Sequence, residues 1–281
     1  MTAGTWLKAF YTAMIYDSKQ ALHRSSLASF VAYNCLQPTF SLLAAWVAYT
    51  ILQSVGATYF RGITGITSYL TFAIIGLALS TIIAQSAYGG FGAVKYEQWM
   101  GTAEPVLRTP ASSYAWLTGK LAAEELFGLI PVVTTILFGY AIFGLQLTSS
   151  PALGTAVLAV TVMMVSMLVL ATLFAGISIL TEEPTDASLL ATSFMLFFAG
   201  LVFPISVLPT QVQWIAWCFP STYGVDITRK ALLLGLGLGD PQIQLEFVKM
   251  IAITLVLLPT GYLTFKRSIR RAEKRGSLEA G

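Results

Sequence analysis

Apolar runs of membrane-crossing length follow one another along almost the whole chain. A helix that crosses a bilayer needs about 20 mainly apolar residues. Six stretches qualify, at Leu27–Leu52, Thr67–Tyr88, Leu121–Phe143, Leu153–Leu180, Leu189–Val207 and Phe247–Phe265. Hydrocarbon offers no water to backbone N–H and C=O groups, so runs of this length form helices. Charged residues make up 10% of the chain, whereas a soluble domain carries about 25%, and no stretch has a soluble composition. The expectation is an all-α integral membrane protein with six transmembrane helices. They form a single transmembrane domain over residues 1–281 in the cell (cytoplasmic) membrane.

The basic residues orient it. Lys266, Arg267, Arg270, Arg271, Lys274 and Arg275 directly follow the last run, so residues 266–281 read as a basic cytoplasmic tail on anionic lipid rather than a nucleic-acid surface. With both termini cytoplasmic, twelve Lys and Arg lie inside and four (Arg61, Arg229, Lys230 and Lys249) outside. Residues 1–25 show no secretory cleavage pattern. Over Thr5–Leu22, Trp6, Phe10, Ala13 and Met14 fall on one helical side, with Lys8, Asp17 and Lys19 elsewhere. That pattern predicts a helix lying in the membrane interface.

Between the fifth and sixth runs, residues 204–246 are too many for a turn and too apolar for a solvated loop. Pro209, Pro220 and the Gly235, Gly237, Gly239 series cut this segment into two short helices, near Gln211–Trp217 and Thr222–Leu234. Non-spanning helices at membrane depth are tolerated where protein covers them, which predicts a re-entrant pair on the outer side.

A polar interlude, Lys95–Lys120, faces the cytoplasm in this topology. Glu97–Leu107 has helix-compatible spacing: Trp99, Met100, Ala103, Val106 and Leu107 can share a side, while Glu97, Glu104 and Arg108 face elsewhere. Pro105 bends or restarts that helix, and Thr109-Pro110 ends it. A short amphipathic helix of this kind can lay its apolar residues in a partner's groove. Glu124 and Glu125 lie about a turn into the third run. Buried acids in lipid are expensive, so they should face protein or water, and pairing with Lys120, Arg108 or the N-terminal helix is one expectation for them.

Chemistry of other kinds is poorly supplied. No Gly-x-x-x-x-Gly-Lys-Ser/Thr loop occurs, since Gly119-Lys120 is followed by Leu121, so the chain is not expected to cradle ATP phosphates itself. His23 is the only histidine, and Cys35 and Cys218 fall at different depths of the expected topology. Neither metal, cofactor nor enzymatic activity is expected of this chain.

Glu97-x-x-x-Gly101-Thr102-x-Glu104-x-x-Leu107-x-Thr109-Pro110-x-Ser112, followed by Gly119-Lys120 opening a span, resembles the loop between spans 2 and 3 of type-2 ABC exporter permeases. Downstream, Phe203-Pro204-Ile205-Ser206-Val207-Leu208-Pro209, Gln213-Trp214-Ile215-Ala216, Pro220-Ser221-Thr222-Tyr223 and Arg229-Lys230-Ala231-Leu232 resemble the segment between that family's last two spans. The likeness covers the whole chain. It departs at Ala103, where the family often has Leu, at Pro105 directly after the glutamate, and at Phe219 in place of Asn.

The resemblance implies a permease subunit whose N-terminal interfacial helix (residues 1–25) is an elbow. It implies a coupling loop at residues 95–112 that meets an ABC ATPase subunit through Glu97, Trp99, Met100, Gly101, Thr102, Glu104, Leu107, Arg108, Thr109 and Pro110. ATP and Mg would be bound by that partner. A second permease copy, identical or related, would complete the transporter. Pro204, Pro209, Trp214, Pro220 and Tyr223 would mark the outer re-entrant segment. Spans without midpoint charges suit export of a hydrophobic or amphipathic molecule, drug-like or lipid. The alternatives are a secondary transporter, which would need internal repeats or intramembrane ion ligands, and a non-transporting membrane assembly subunit.

Overall fold

A computed structural model describes residues 3–24, 29, 32, 37–66, 68–107 and 112–275. Among them all regular structure is helical. The principal helices are α1 (Ala3–Arg24), α2 (Gln37–Thr64), α3 (Tyr69–Trp99), α4 (Ala103–Leu107), α5 (Ser113–Phe127), α6 (Leu129–Ala141), α7 (Leu153–Ser178), α8 (Pro184–Phe198), α9 (Thr210–Ala216), α10 (Pro220–Arg229) and α11 (Pro241–Arg275). Among the described residues, four helical stretches are long and apolar enough to cross a membrane: Tyr69–Trp99, Ser113–Ala141, Leu153–Ser178 and Pro241–Lys274.

The centre is α3 against α7. Ile74, Ile75, Leu79, Ile82 and Ile83 of α3 meet Met163 and Met167 of α7 and Met195 of α8 in one buried cluster. Lipid tails are as apolar as these side chains, so close packing and interhelical hydrogen bonds hold such helices together. One such bond runs from Thr254 Oγ1 on α11 to Ser166 Oγ on α7, at 2.7 Å. Elsewhere α11 exposes Val248, Leu255, Val256 and Leu258, the composition of a lipid-facing surface.

Several boundaries differ from those expected. The second run does not stop at Tyr88; its helix continues to Trp99, so Glu97 and Trp99 sit in its last turn. The expected single helix over Glu97–Leu107 is therefore broken, and the break falls at Gly101 (φ 68°), not at Pro105. Pro105 stands in the first turn of α4, where a backbone N–H would have no intrahelical acceptor and its loss is harmless. The fifth run begins at Pro184 and ends at Phe198, 15 residues or about 22 Å of helix. Gly200, at φ 65°, turns the chain there, and Ile205–Val207 form only a 3-10 turn. The first helix runs on to Thr64; its expected start at Leu27 lies outside the described residues.

Between α8 and α11 the two short helices appear close to their expected places. Pro209 precedes α9, and Pro220 occupies the first position of α10, where its fixed φ suits a helix start. All residues of α10 except Asp226 are buried. Protein therefore covers nearly the whole of this helix. Tyr223 is buried with its ring 5.0 Å from that of Trp217, whereas Trp214 is exposed. Thr222 Oγ1 donates to the carbonyls of Ala216 (2.7 Å) and Phe198 (3.2 Å), tying α10 to α9 and to the end of α8.

Candidate functional site

At one end of the bundle, α1, the last turn of α3 and the first turns of α5 converge on a buried ammonium. Lys120 Nζ lies 2.7 Å from Glu97 Oε1 and 3.9 Å from Asp17 Oδ1. The rings of Tyr96 and Trp116 face the same nitrogen at 5.3 and 5.6 Å, within cation–π range. All three ionic side chains are buried. In such surroundings a single charge without its partner is far costlier than the assembled group.

Glu97 also organises the chain that follows it. Thr102 Oγ1 donates to its second carboxylate oxygen. The Thr102 N–H donates to the Glu97 carbonyl (2.9 Å) and the Gly101 N–H to that of Gln98 (3.1 Å). These two bonds with a left-handed glycine form a Schellman cap, which ends α3 and throws α4 off its axis. Trp99 and Met100 are left exposed at the turn, at 69% and 59%, while Ala103 is buried at 2%. These three residues therefore do not share an apolar side, as a continuous helix would have placed them. Gly101 and Thr102 are exposed with Trp99 and Met100. Glu97 faces inward as a brace. The side chains of Glu104 and Leu107 lie outside the described set, as do Arg108, Thr109 and Pro110.

The side of α1 that carries Phe10, Ala13 and Met14 turns toward the protein rather than toward lipid. Gly119 on α5 packs directly against the Phe10 carbonyl, where any Cβ would overlap it. Leu7, Tyr11, Ile15 and Tyr16 form the exposed side of α1. Between α1 and the α3–α4 turn opens a groove of about 740 Å³, with Lys8, Thr12, Tyr16, Met100, Val106 and Trp116 among its walls.

Glu124 and Glu125 are not the carboxylates that hold Lys120. Glu125 is buried and accepts a hydrogen bond from Ser86 Oγ on α3. Glu124 lies against Gly89 of the same helix. Both acids face protein, and the ammonium turns instead to Glu97 and Asp17.

Two further cavities flank α3, an inner one along the middle of the helix and an outer one near its start at Tyr69. The inner one, about 510 Å³, lies between α2, α3, α6 and α8. Gln37, Ser41, Ser80, Thr81, Gln85 and Thr192 line it with polar groups beside the aromatic Tyr88, Phe197 and Phe203, and among the described residues no charged side chain lines it. Thr192 Oγ1 is buried there without a hydrogen-bond partner. The outer cavity, about 300 Å³, lies beneath α9 and α10 and is lined by Phe72, Gly200, Trp217, Asp226, Arg229 and Lys230 among others. Sequence reasoning missed Asp17 as an ionic partner and Arg229 as a buried cation. The one available signal for Arg229 was its position among Ile227, Ala231 and Leu232.

The family model for ABC-2 type transporters matches residues 12–233. The chain belongs to this family. Comparison with curated proteins gives no match. It is accordingly a multi-pass membrane protein and the transmembrane subunit of an ABC transporter, a permease domain that is not itself catalytic. The matched region takes in α2–α10, most of α1, the Glu97–Lys120 brace, the inner cavity and most of the outer one.

Proposed function

We propose that this permease crosses the cytoplasmic membrane six times with both termini inside, and exports an uncharged or amphipathic hydrophobic molecule using ATP hydrolysed by a separate ABC ATPase subunit. The observation that carries the reading is the exposed Trp99–Met100 turn braced from below by Glu97, Lys120 and Asp17. A force delivered to a flexible loop is dissipated. Applied to this turn, it reaches α1, α3 and α5 together, because a buried ion group joins them. The helix α3 then runs 31 residues, about 46 Å, from the turn past the inner cavity to the outer one.

The cargo class follows from the inner cavity. Its described walls offer hydroxyls, amides and aromatic faces but no formal charge, so an inorganic ion or a strongly charged solute would be stripped of water there without compensation. A mainly apolar molecule with a few neutral hydrogen-bonding groups finds partners for both its parts. A second permease copy would complete the translocation path, and α9 and α10 would form the outer re-entrant pair. Inside-out vesicles containing the chain and its ATPase should accumulate neutral amphipathic fluorescent probes when ATP is added. Accumulation driven by a proton gradient, and unaffected by ATP, would refute the reading.

A further inference from the structure

Arg229 is 3% exposed and shares the lining of the outer cavity with Asp226 and Lys230. Its guanidinium is spent on main-chain carbonyls. Nε donates to Phe72 O (3.1 Å), Nη1 to Gly200 O (2.8 Å) and Nη2 to Leu201 O. Its Cζ lies 3.5 Å from the centroid of the Phe72 ring. Two of the three acceptors belong to the turn that ends α8, where helix-terminal carbonyls have no intrahelical donors. The third is in the first turns of α3. One side chain on α10 thus holds the backbones of two other elements.

That turn lies between the inner and outer cavities. Ala199, Gly200 and Pro204 line the outer one, and Leu201, Val202 and Phe203 line the inner one. The fit leaves no slack on the α3 side. At Gly76 any Cβ would overlap both Arg229 Nη2 and the Leu201 carbonyl. Behind the arginine, Lys230 pairs with Asp226 at 2.8 Å and with Glu246 of α11, which anchors α10 to the last helix.

We propose that Arg229 is the positioning residue that keeps the Gly200–Pro204 turn in place as the partition between the inner and outer cavities, so that cargo leaves only when the turn parts from α3 and α10. The proposal rests on the exporter reading for its cargo, but the partition itself is a property of this chain. Three carbonyls in a fixed fork are matched by a guanidinium and not by an ammonium. Lysine at this position therefore restores the charge without restoring the partition.

The test uses the full chain with Cys35 and Cys218 replaced by serine, carrying Leu201→Cys on the inner-cavity side of the turn. A membrane-impermeant maleimide is applied from outside. With Arg229 present, labelling is slow. Arg229→Gln, Arg229→Lys and, independently, Gly76→Ala each speed it by at least about tenfold, the effect on an opening equilibrium of losing one charge-assisted hydrogen bond. A second reporter, Ser166→Cys in the α7 core, stays unlabelled in all of them. Equal labelling of the Leu201→Cys chain whatever stands at position 229, rescue by lysine, or labelling of both reporters together overturns the proposal. The labelling needs no ATPase, so a failure of the exporter reading, seen as no ATP-driven uptake by vesicles, is distinguishable from a failure of the partition.

Discussion

Lys120 draws carboxylates from two other helices, and the cost of disturbing it should be asymmetric. Lys120→Met removes the ammonium that the buried Glu97 and Asp17 share and is expected to destabilise the protein by about 3–5 kcal/mol. Adding Glu97→Gln to that background should recover part of the loss. Thermal unfolding in detergent of the two single variants and the double variant gives the coupling energy; strict additivity would contradict a shared ion group. Gly101 makes a narrower demand. Its left-handed backbone closes the cap on α3, so Gly101→Ala should cost about 1–2 kcal/mol and weaken ATPase coupling without changing membrane insertion. Unaltered stability and coupling would mean that the turn tolerates another geometry.

Elements were legible in the sequence to the extent that hydrophobic length dictates them. The second and fourth runs became helices within two residues of where the apolar residues begin, the third and sixth lie in helices that start earlier, at Ser113 and Pro241, and the proline-cut pair between α8 and α11 appeared near its expected limits. The α3–α4 break was not legible from periodicity, because Glu97–Leu107 spacing is helix-compatible throughout. The competing signal was Gly101 itself, at the position where a helix-ending glycine stands. The docking of α1 was hidden for a related reason. An apolar face and a small-residue packing site look alike until Gly119 is seen against the Phe10 carbonyl. Gly119→Ala should lift α1 from α5, and limited proteolysis of detergent-solubilised protein should then cut within α1 sooner than in the parent. An unchanged digestion pattern would show that the contact does not hold the helix down. Lys120's true partners were equally out of reach, since Asp17 and Glu97 are brought to it by two other helices, α1 and α3.

Across the whole molecule, the two ends of α3 carry the two polar constructions. Glu97 joins it to α1 and α5 at one end, and at the other the Phe72 carbonyl receives Arg229 from α10. A helix fixed at both ends and packed along its length on α7 transmits displacement as a body, because close-packed interiors deform little. On that basis an ATPase acting at Trp99 and Met100 would move the inner-cavity wall and the outer partition together. The decisive measurement is purification of the tagged chain in nanodiscs from its own membrane, with and without Trp99→Asp combined with Met100→Asp, followed by identification of co-purifying proteins and assay of ATP hydrolysis. The parent should bring down an ABC ATPase in stoichiometric amount with active hydrolysis. The double variant should insert normally but lose both, while Trp214→Asp, exposed near the other end, keeps them. A parent chain that purifies without an ATPase, or a double variant that retains it at full activity, would contradict the coupling role of the turn.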